Sequence, residues 1–464
     1  MLIFMILSHI YTFKSYSLIG CFLVFKDIYK QIFCLTVIPW HHYPLNYQYL
    51  FHYLTRILMF KRPLIAFSFS IALCMSCQPT PNDTSSPAVT TPAASSAPVS
   101  LDVETLKTQF LQNYAQNVYL NYQDAYTHAV QLQTAVDAFL ANPNADTLAN
   151  AKSAWITARV PYSQSEGYRF YDGPIDREGG PEAQLNAWPM DEVYVDYVEG
   201  LPNAGIINQV EAYPTIDAEL LKQLNEVGGD KNISTGYHAI EFLLWGQDLT
   251  VGAGAGERPF TDYTTAANAD RRSTYLKVVT DLLVNDLKGV MDAWAPAQEN
   301  YRQEFLAMDS NTALANVLKG IGTLSASELS SERMATPLDI GDREEEHSCF
   351  SDNTRDDVLY NAQSIRNVLT GKYAVTGSDT VHEGVGLIAL MEVANPELAE
   401  RLKASSEKNV ALTQAIQSPF DQEIRPENEA GKARVLSAIQ ELQAQGRLIV
   451  EAGQVLGIQV NTDL

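Results

Sequence analysis

Basic residues are scarce in this chain: 32 Lys and Arg stand against 55 Asp and Glu, a formal charge of −23 at pH 7. Nucleic-acid binding needs a basic face to neutralise phosphates, so that partner class is excluded. The acidity suits cations or cationic peptides, and most of it serves as solvated surface. Cysteine is rarer still. Of Cys21, Cys34, Cys74, Cys77 and Cys349, only the last lies beyond the N-terminal region, so no intramolecular disulfide framework can form in the body of the protein. Strand-like alternation is almost absent, which excludes a sheet-based fold. The Gly-rich run 251–256 lacks the spacing and preceding strand of a phosphate-binding loop and reads as a linker or surface loop. No H-E-x-x-H zinc-peptidase motif occurs: His382-Glu383 begins one, but Gly386 stands where the second histidine belongs.

What is present divides by composition. Met59-Phe60-Lys61-Arg62-Pro63 is a basic opening, Leu64 to Leu73 a short apolar run, and Met75-Ser76 places a small residue before Cys77. This is the pattern of a lipoprotein export signal over 59–76, cleaved before Cys77, whose thiol is then acylated. Cys74 stands three before Cys77 in place of the usual Leu or Val. Residues 1–58, rich in Phe, Ile, Leu and Tyr with Asp27 as their one acid, read as a misassigned N-terminal extension, with Met59 the true start. Residues 77–100 are Pro, Thr, Ser and Ala that cannot bury apolar surface, a disordered tether. An outer-membrane lipoprotein of a diderm bacterium, facing the periplasm or the cell surface, is the expected location.

From Leu101 the pattern is helical. Leu106, Phe110, Tyr114, Val118, Tyr122, Ala125, Ala129, Leu132, Val136 and Phe139 recur at threes and fours and predict one long helix ending near Asn142-Pro143. Further helices are predicted over 146–165, around His238, and over 271–294, 303–324, 356–369, 380–392, 396–417 and 427–456. The fold class is all-α. About 360 residues exceed one comfortable bundle, so two are expected, 101–256 and 257–464, divided at the Gly-rich run.

The densest chemistry lies in Gly236-Tyr237-His238-Ala239-Ile240-Glu241-Phe242-Leu243-Leu244-Trp245-Gly246. In this G-x-H-x-x-E stretch His238 and Glu241 sit one turn apart on an otherwise apolar helix, so an imidazole and a carboxylate project together into a region built for burial. That is one way a helix bundle presents two metal ligands; a hydrogen-bonded pair that only fixes packing has the same spacing. A second cluster runs from Thr336 to Asp357, with Arg343, Glu344-Glu345-Glu346, His347, Cys349 and Asp352. The three glutamates favour protonation of His347 or, with it, could hold a cation. Ser351, Asp352 and Thr354 are candidate N-caps for the helix that follows. A third cluster comprises Trp155, Arg159, Tyr162, Glu166 and Arg169, then Asp172 to Asp176 and Asn186 to Glu192, which includes Trp188. Glu166 in this aromatic setting must find a partner, whether Arg159, Arg169 or a metal.

Taken together, W-x3-R-x2-Y-x3-E, D-G-P-I-D, N-A-W-P-M-D-E, G-Y-H-A-I-E-F-L-L-W-G and G-D-R-E-E-E-H-S-C-F-S-D-N-T resemble the imelysin family, specifically its iron-regulated protein A-like branch, from about Leu101 to Leu456. The resemblance implies two helical-bundle halves, an internal duplication, with a functional cleft between them near the G-x-H-x-x-E helix. It also implies export, often with a lipid anchor, and a link to iron acquisition. The chain departs from the pattern at Asn353-Thr354-Arg355-Asp356, where relatives carry a histidine before the arginine.

Three functions compete on this reading. The first is a lipid-anchored protein that binds a metal ion or small metal-linked ligand and works with iron-uptake partners. Its metal, divalent or ferric and most simply iron or zinc, would be held by His238, Glu241 and Glu166. The second is a metallopeptidase, which needs a metal-activated water and a base. The third is a carrier of polysaccharide or another ligand, in which aromatic residues such as Trp188 and Trp245 line the cleft rather than simply filling the core. Whatever the function, the candidate cleft residues are Arg159, Trp188, Trp245, Arg343, His347, Cys349 and Asp352. If Cys77 is the acylated residue, Cys77→Ala protein should leave the membrane fraction and fail to label with palmitate; continued sedimentation with membranes would contradict the lipoprotein assignment.

Overall fold

The computed structural model describes residues 102–250 and 252–460. The export signal, Cys77 and the tether lie outside the described residues. Helix α1, Val103–Ala141, starts where the Asp102 carboxylate accepts from the Thr105 N–H at 2.8 Å, filling one of the donors left open at a helix start. After a short turn α2, Ala145–Ser163, opens on a reciprocal capping box between Asn144 and Thr147. Helix α3, Gly236–Trp245, carries the G-x-H-x-x-E stretch, and all ten of its residues are buried. Then come α4 (Ala269–Trp294) and α5 (Ser310–Thr323), the latter running directly into a π-helical stretch, Leu324–Ala335. Helix α6 (Thr354–Thr370) is followed by a hairpin, β1 Lys372–Ala374 and β2 Val381–Glu383, and by α7 (Leu387–Ala394), α8 (Pro396–Ala415) and α9 (Glu429–Val455).

The helix boundaries follow the apolar periodicity closely, with two exceptions. The helix predicted over 303–324 is broken at Met308-Asp309 into a short helix, Tyr301–Ala307, and α5, because the Asp309 carboxylate caps a new start by accepting from the Thr312 N–H. The helix predicted from Thr380 instead begins at Leu387, because Gly384 and Gly386 interrupt it and Val381–Glu383 pairs antiparallel with Lys372–Ala374, Tyr373 opposite His382. Tyr373 is fully buried and its hydroxyl donates to Asp124 on α1 at 2.7 Å, which pins the hairpin to the first helix.

Helix α1 packs lengthwise on α2 and α4, and α3 is wedged against α2 and α4. A second set, α5 with its π-helical continuation, α6, α7, α8 and α9, packs around α9 and α8, and α6 also lies on α2. One hydrophobic core runs through both sets. Helix α4, beyond the Gly-rich run, therefore keeps company with α1, and residues 252–256 of the run form a loop whose Gly256 N–H donates to the Phe350 carbonyl at 2.9 Å. Among the described residues no helix is long and apolar enough to cross a membrane.

The buried helix α3 depends on a glycine. Gly236 has φ +84°, and a Cβ there would stand 2.6 Å from the Leu185 carbonyl oxygen. Both the backbone conformation and the space exclude a side chain. Gly236→Ala should therefore destabilise the protein by about 2 kcal/mol or more. Gly289→Ala, at an exposed position of α4 with nothing within 4 Å, should stabilise it by about 0.5–1 kcal/mol. Denaturant titration of the two variants checks both signs.

Candidate functional site

The i, i+3 spacing on α3 delivers the expected pair. His238 Nδ1 lies 2.8 Å from Glu241 Oε2, and both side chains are at most 2% exposed. Glu241's other oxygen accepts from both the backbone N–H and the hydroxyl of Ser351, at 2.9 and 2.7 Å. Ser351, one of the candidate caps for α6, thus serves α3 instead, and the cap position falls to Asn353. His238 Nε2 is buried and has no hydrogen-bond partner.

Edge-on to His238, with ring centroids 4.9 Å apart, lies His347 from the loop before α6. Its Nδ1 is 3.2 Å from Asp357 in the first turn of α6. Asp357 is the hub of the cluster. It takes Arg159 of α2 (3.0 Å), the Ser163 hydroxyl (2.9 Å) and the hydroxyl of Ser348. Arg159 in turn donates to Asn186 at 2.6 Å and stacks over the rings of Trp155, Tyr162 and Tyr237. Trp188 closes the cluster on one side, its ring edge-on to His347 and its indole N–H donating to the Glu346 carbonyl at 2.6 Å.

Charge states follow from burial and neighbouring guanidiniums. Burial alone raises the Asp357 carboxyl, but Arg159, His347 and Ser348 outweigh it and hold it far below the usual carboxylate range. His347 is driven down to about 3 by burial and by Arg333, Asp357 notwithstanding. This reverses the expectation from the preceding glutamates: Glu346 is itself buried and is coupled to Asp421, Asp352 and Asp248, so it does not promote protonation of His347. His238 is likewise pushed well below its ordinary value, by burial and then by Arg159. Burial lifts Glu241 to about 8 despite the bonds from Ser351. The α3 pair therefore holds its proton on Glu241, which donates to Nδ1 at neutral pH and leaves Nε2 as an N–H. Above about 8 the carboxylate accepts from Nδ1–H and Nε2 becomes a bare lone pair.

The remaining sequence candidates are placed differently. Glu166 follows α2 in a short 3₁₀ turn and pairs through Oε2 with Arg169 at 2.7 Å and Arg333 at 2.9 Å. Burial raises its carboxyl and the two guanidiniums overcome this, bringing it to about 2. Arg333 was not legible as a partner: it comes from the π-helical stretch, where it also holds Glu328 and donates to Asn361 of α6. Arg343 is committed to Asp248 and the Thr250 carbonyl. Trp245 is 4% exposed and sits at the other end of α3, beneath Lys152 and beside a hollow of about 360 Å³ shared with Tyr197 and Arg258. Cys349 is a free thiol whose pKa is raised well above its ordinary value by burial, so it is not a nucleophilic thiolate. Asp352 adopts φ 59° and is lifted to about 6 by burial and by Asp421. Among the described residues no three His, Cys, Asp or Glu side chains converge as a metal cluster, so Glu166 does not complete a three-ligand set with His238 and Glu241.

Fold and site together define an all-α protein built around a closed His–Glu and His–Asp–Arg network. The family model for Imelysin (peptidase M75) matches residues 118–449, and the chain belongs to this family. Over 340 residues it is 26% identical to iron-regulated protein A of Synechococcus elongatus, covering 71% of this chain and 81% of that one. A crystal structure assigned as an iron-regulated protein A precursor from Parabacteroides distasonis superposes with a TM-score of 0.59 at 21% identity, over 78% of this chain and 98% of that one. An imelysin-like protein from Psychrobacter arcticum gives 0.55 at 16% identity, over 79% and 99%. These likenesses establish the helical fold.

Glu241 binds its proton more tightly folded than unfolded, so its contribution to stability falls as pH rises from about 4.5 through about 8. Glu241→Gln keeps the same donors and acceptors without the charge. The variant should match wild type in thermal melting near pH 5 and exceed it by a growing margin, reaching a few degrees above pH 8. Parallel melting curves across that range would contradict a protonated Glu241.

Proposed function

We propose that this imelysin-family protein is an exported, lipid-anchored binding protein of iron acquisition, and that His238 donates one nitrogen to the metal of its ligand. The observation that carries this reading is His238 Nε2, a buried ring nitrogen without a partner, on an imidazole oriented through its other nitrogen by Glu241. A carboxylate behind a ligating imidazole fixes the ring and raises its donor strength.

The surrounding residues fit a metal only in part. Asp357 and Glu166 are neutralised by Arg159, Arg169 and Arg333, and Glu241 spends both oxygens on Ser351 and His238. The nearest second nitrogen donor is His347, its ring 4.9 Å away. A bare ion that needs three or four protein ligands is poorly served. An ion that arrives with ligands of its own, as a metal-linked small molecule does, is better served, and nitrogen donors favour iron or zinc over magnesium or calcium. A bound metal would supply the affinity and the selectivity; the chain supplies an oriented imidazole, a buried surround and, behind the ring, a carboxyl that accepts from Nδ1–H once its own proton is lost.

The peptidase reading is less well supported. A base for water activation needs a free carboxylate oxygen, and Glu241 offers none. The polysaccharide reading loses its aromatic platform, since Trp188 and Trp245 are engaged in packing against His347 and Trp155.

Titration calorimetry of the purified chain with zinc and ferrous salts, free and chelated, should show binding that His238→Ala abolishes and Glu241→Gln weakens by about 10- to 100-fold. His128→Ala and His382→Ala should have little effect. Binding should strengthen as pH rises through about 8, when the proton on the pair is lost. Equal affinity in wild type and His238→Ala would show the pair to be structural.

A further inference from the structure

A second hollow, of about 510 Å³, lies between α6, the hairpin, α7 and α8, apart from the His238 cluster. Its size falls within the roughly 300–1,000 Å³ typical of small-ligand sites. In a chain with a net charge of −23, its lining gathers Arg366, Lys372 and Lys403. Lys372 is committed to Glu383 at 2.7 Å. Arg366 is half-buried, yet among the described residues neither it nor Lys403 is paired with a carboxylate. That contrasts with Arg258, Arg272, Arg333 and Arg434, each of which holds an Asp or Glu. Also lining the hollow is Ser406, a residue 2% exposed whose hydroxyl is buried without a hydrogen-bond partner. A buried hydroxyl left unpaired costs free energy, and a ligand atom would recover it.

The rest of the lining limits the ligand. Ile388 and Val381 give it an apolar wall, and the exposed carboxylates of Glu392 and Glu407 stand at the rim. Rim carboxylates repel a multiply charged anion more than a singly charged one. We propose that this hollow binds a small organic monocarboxylate, its charge on Arg366 and Lys403, its oxygen on the Ser406 hydroxyl and its short apolar part against Ile388 and Val381. The assignment does not depend on the metal-linked role of His238.

Calorimetry of the purified full chain with butyrate, inorganic phosphate and butylamine tests it. Butyrate should bind saturably at one site, phosphate more weakly and butylamine not at all. Arg366→Gln and Lys403→Gln should each weaken butyrate on the order of tenfold. Ser406→Ala should weaken it several-fold, and His238→Ala should leave it unchanged. Lys403 is exposed, so its substitution tests the site even if Arg366→Gln unfolds the protein. The proposal is overturned if butyrate shows no saturable binding, if butylamine or phosphate binds as well as butyrate, or if Lys403→Gln binds butyrate like wild type.

Discussion

The ion pair between Arg159 and Asp357 is the contact on which the rest of this interior depends. Two charges, each 1% exposed, join α2 to α6 across 198 residues of sequence, and Ser163, Ser348, Asn186 and His347 are each held by one or the other. Removing one partner of such a pair leaves the other buried and unmatched, which typically costs about 3–5 kcal/mol. Here the cost would spread further, because Ser163, Ser348, Asn353 and His347 all use Asp357, and Asn186 uses Arg159. The pair also fixes where α3 can lie, since Tyr237 packs beneath the guanidinium.

A positive potential from Arg159 and Arg333 has a second effect. Burial is the larger cause, and with it this potential keeps His238 and His347 neutral inside the protein, so two imidazoles 4.9 Å apart coexist without mutual repulsion. Glu241 responds oppositely. Although Arg159 favours its ionised form, burial dominates and its carboxyl keeps a proton to about 8. The result is a network with fixed charges at Asp357, Glu166 and three arginines, and one exchangeable proton shared by His238 and Glu241.

Much of the fold was legible because helices write themselves locally. The apolar spacing along α1 and the Asn-Pro that ends it needed no distant partner, and neither did the one-turn spacing of His238 and Glu241. The three-residue strands were too short to register as alternation. The partners of the site residues were illegible for a different reason: Arg159 with Asp357 and Glu166 with Arg333 are contacts between elements more than 160 residues apart. Where adjacency was used in place of contact it misled, as when Glu344 to Glu346 were expected to promote protonation of His347. Ser351 was read as a cap from its place before a helix, whereas its bonds reach back 110 residues to Glu241.

The π-helical stretch illustrates how much can rest on the winding of one segment. In an α-helix successive residues turn by about 100°, so side chains five apart point in different directions. Hydrogen bonding from i to i+5 widens the turn and brings such residues into line. Glu328 and Arg333 are five apart and meet at 2.9 Å, and the same guanidinium reaches Glu166 and Asn361. The segment thus behaves as a phase shift in the chain. Rewinding this stretch as an ordinary α-helix would swing the arginine off axis and leave Glu166 with Arg169 alone.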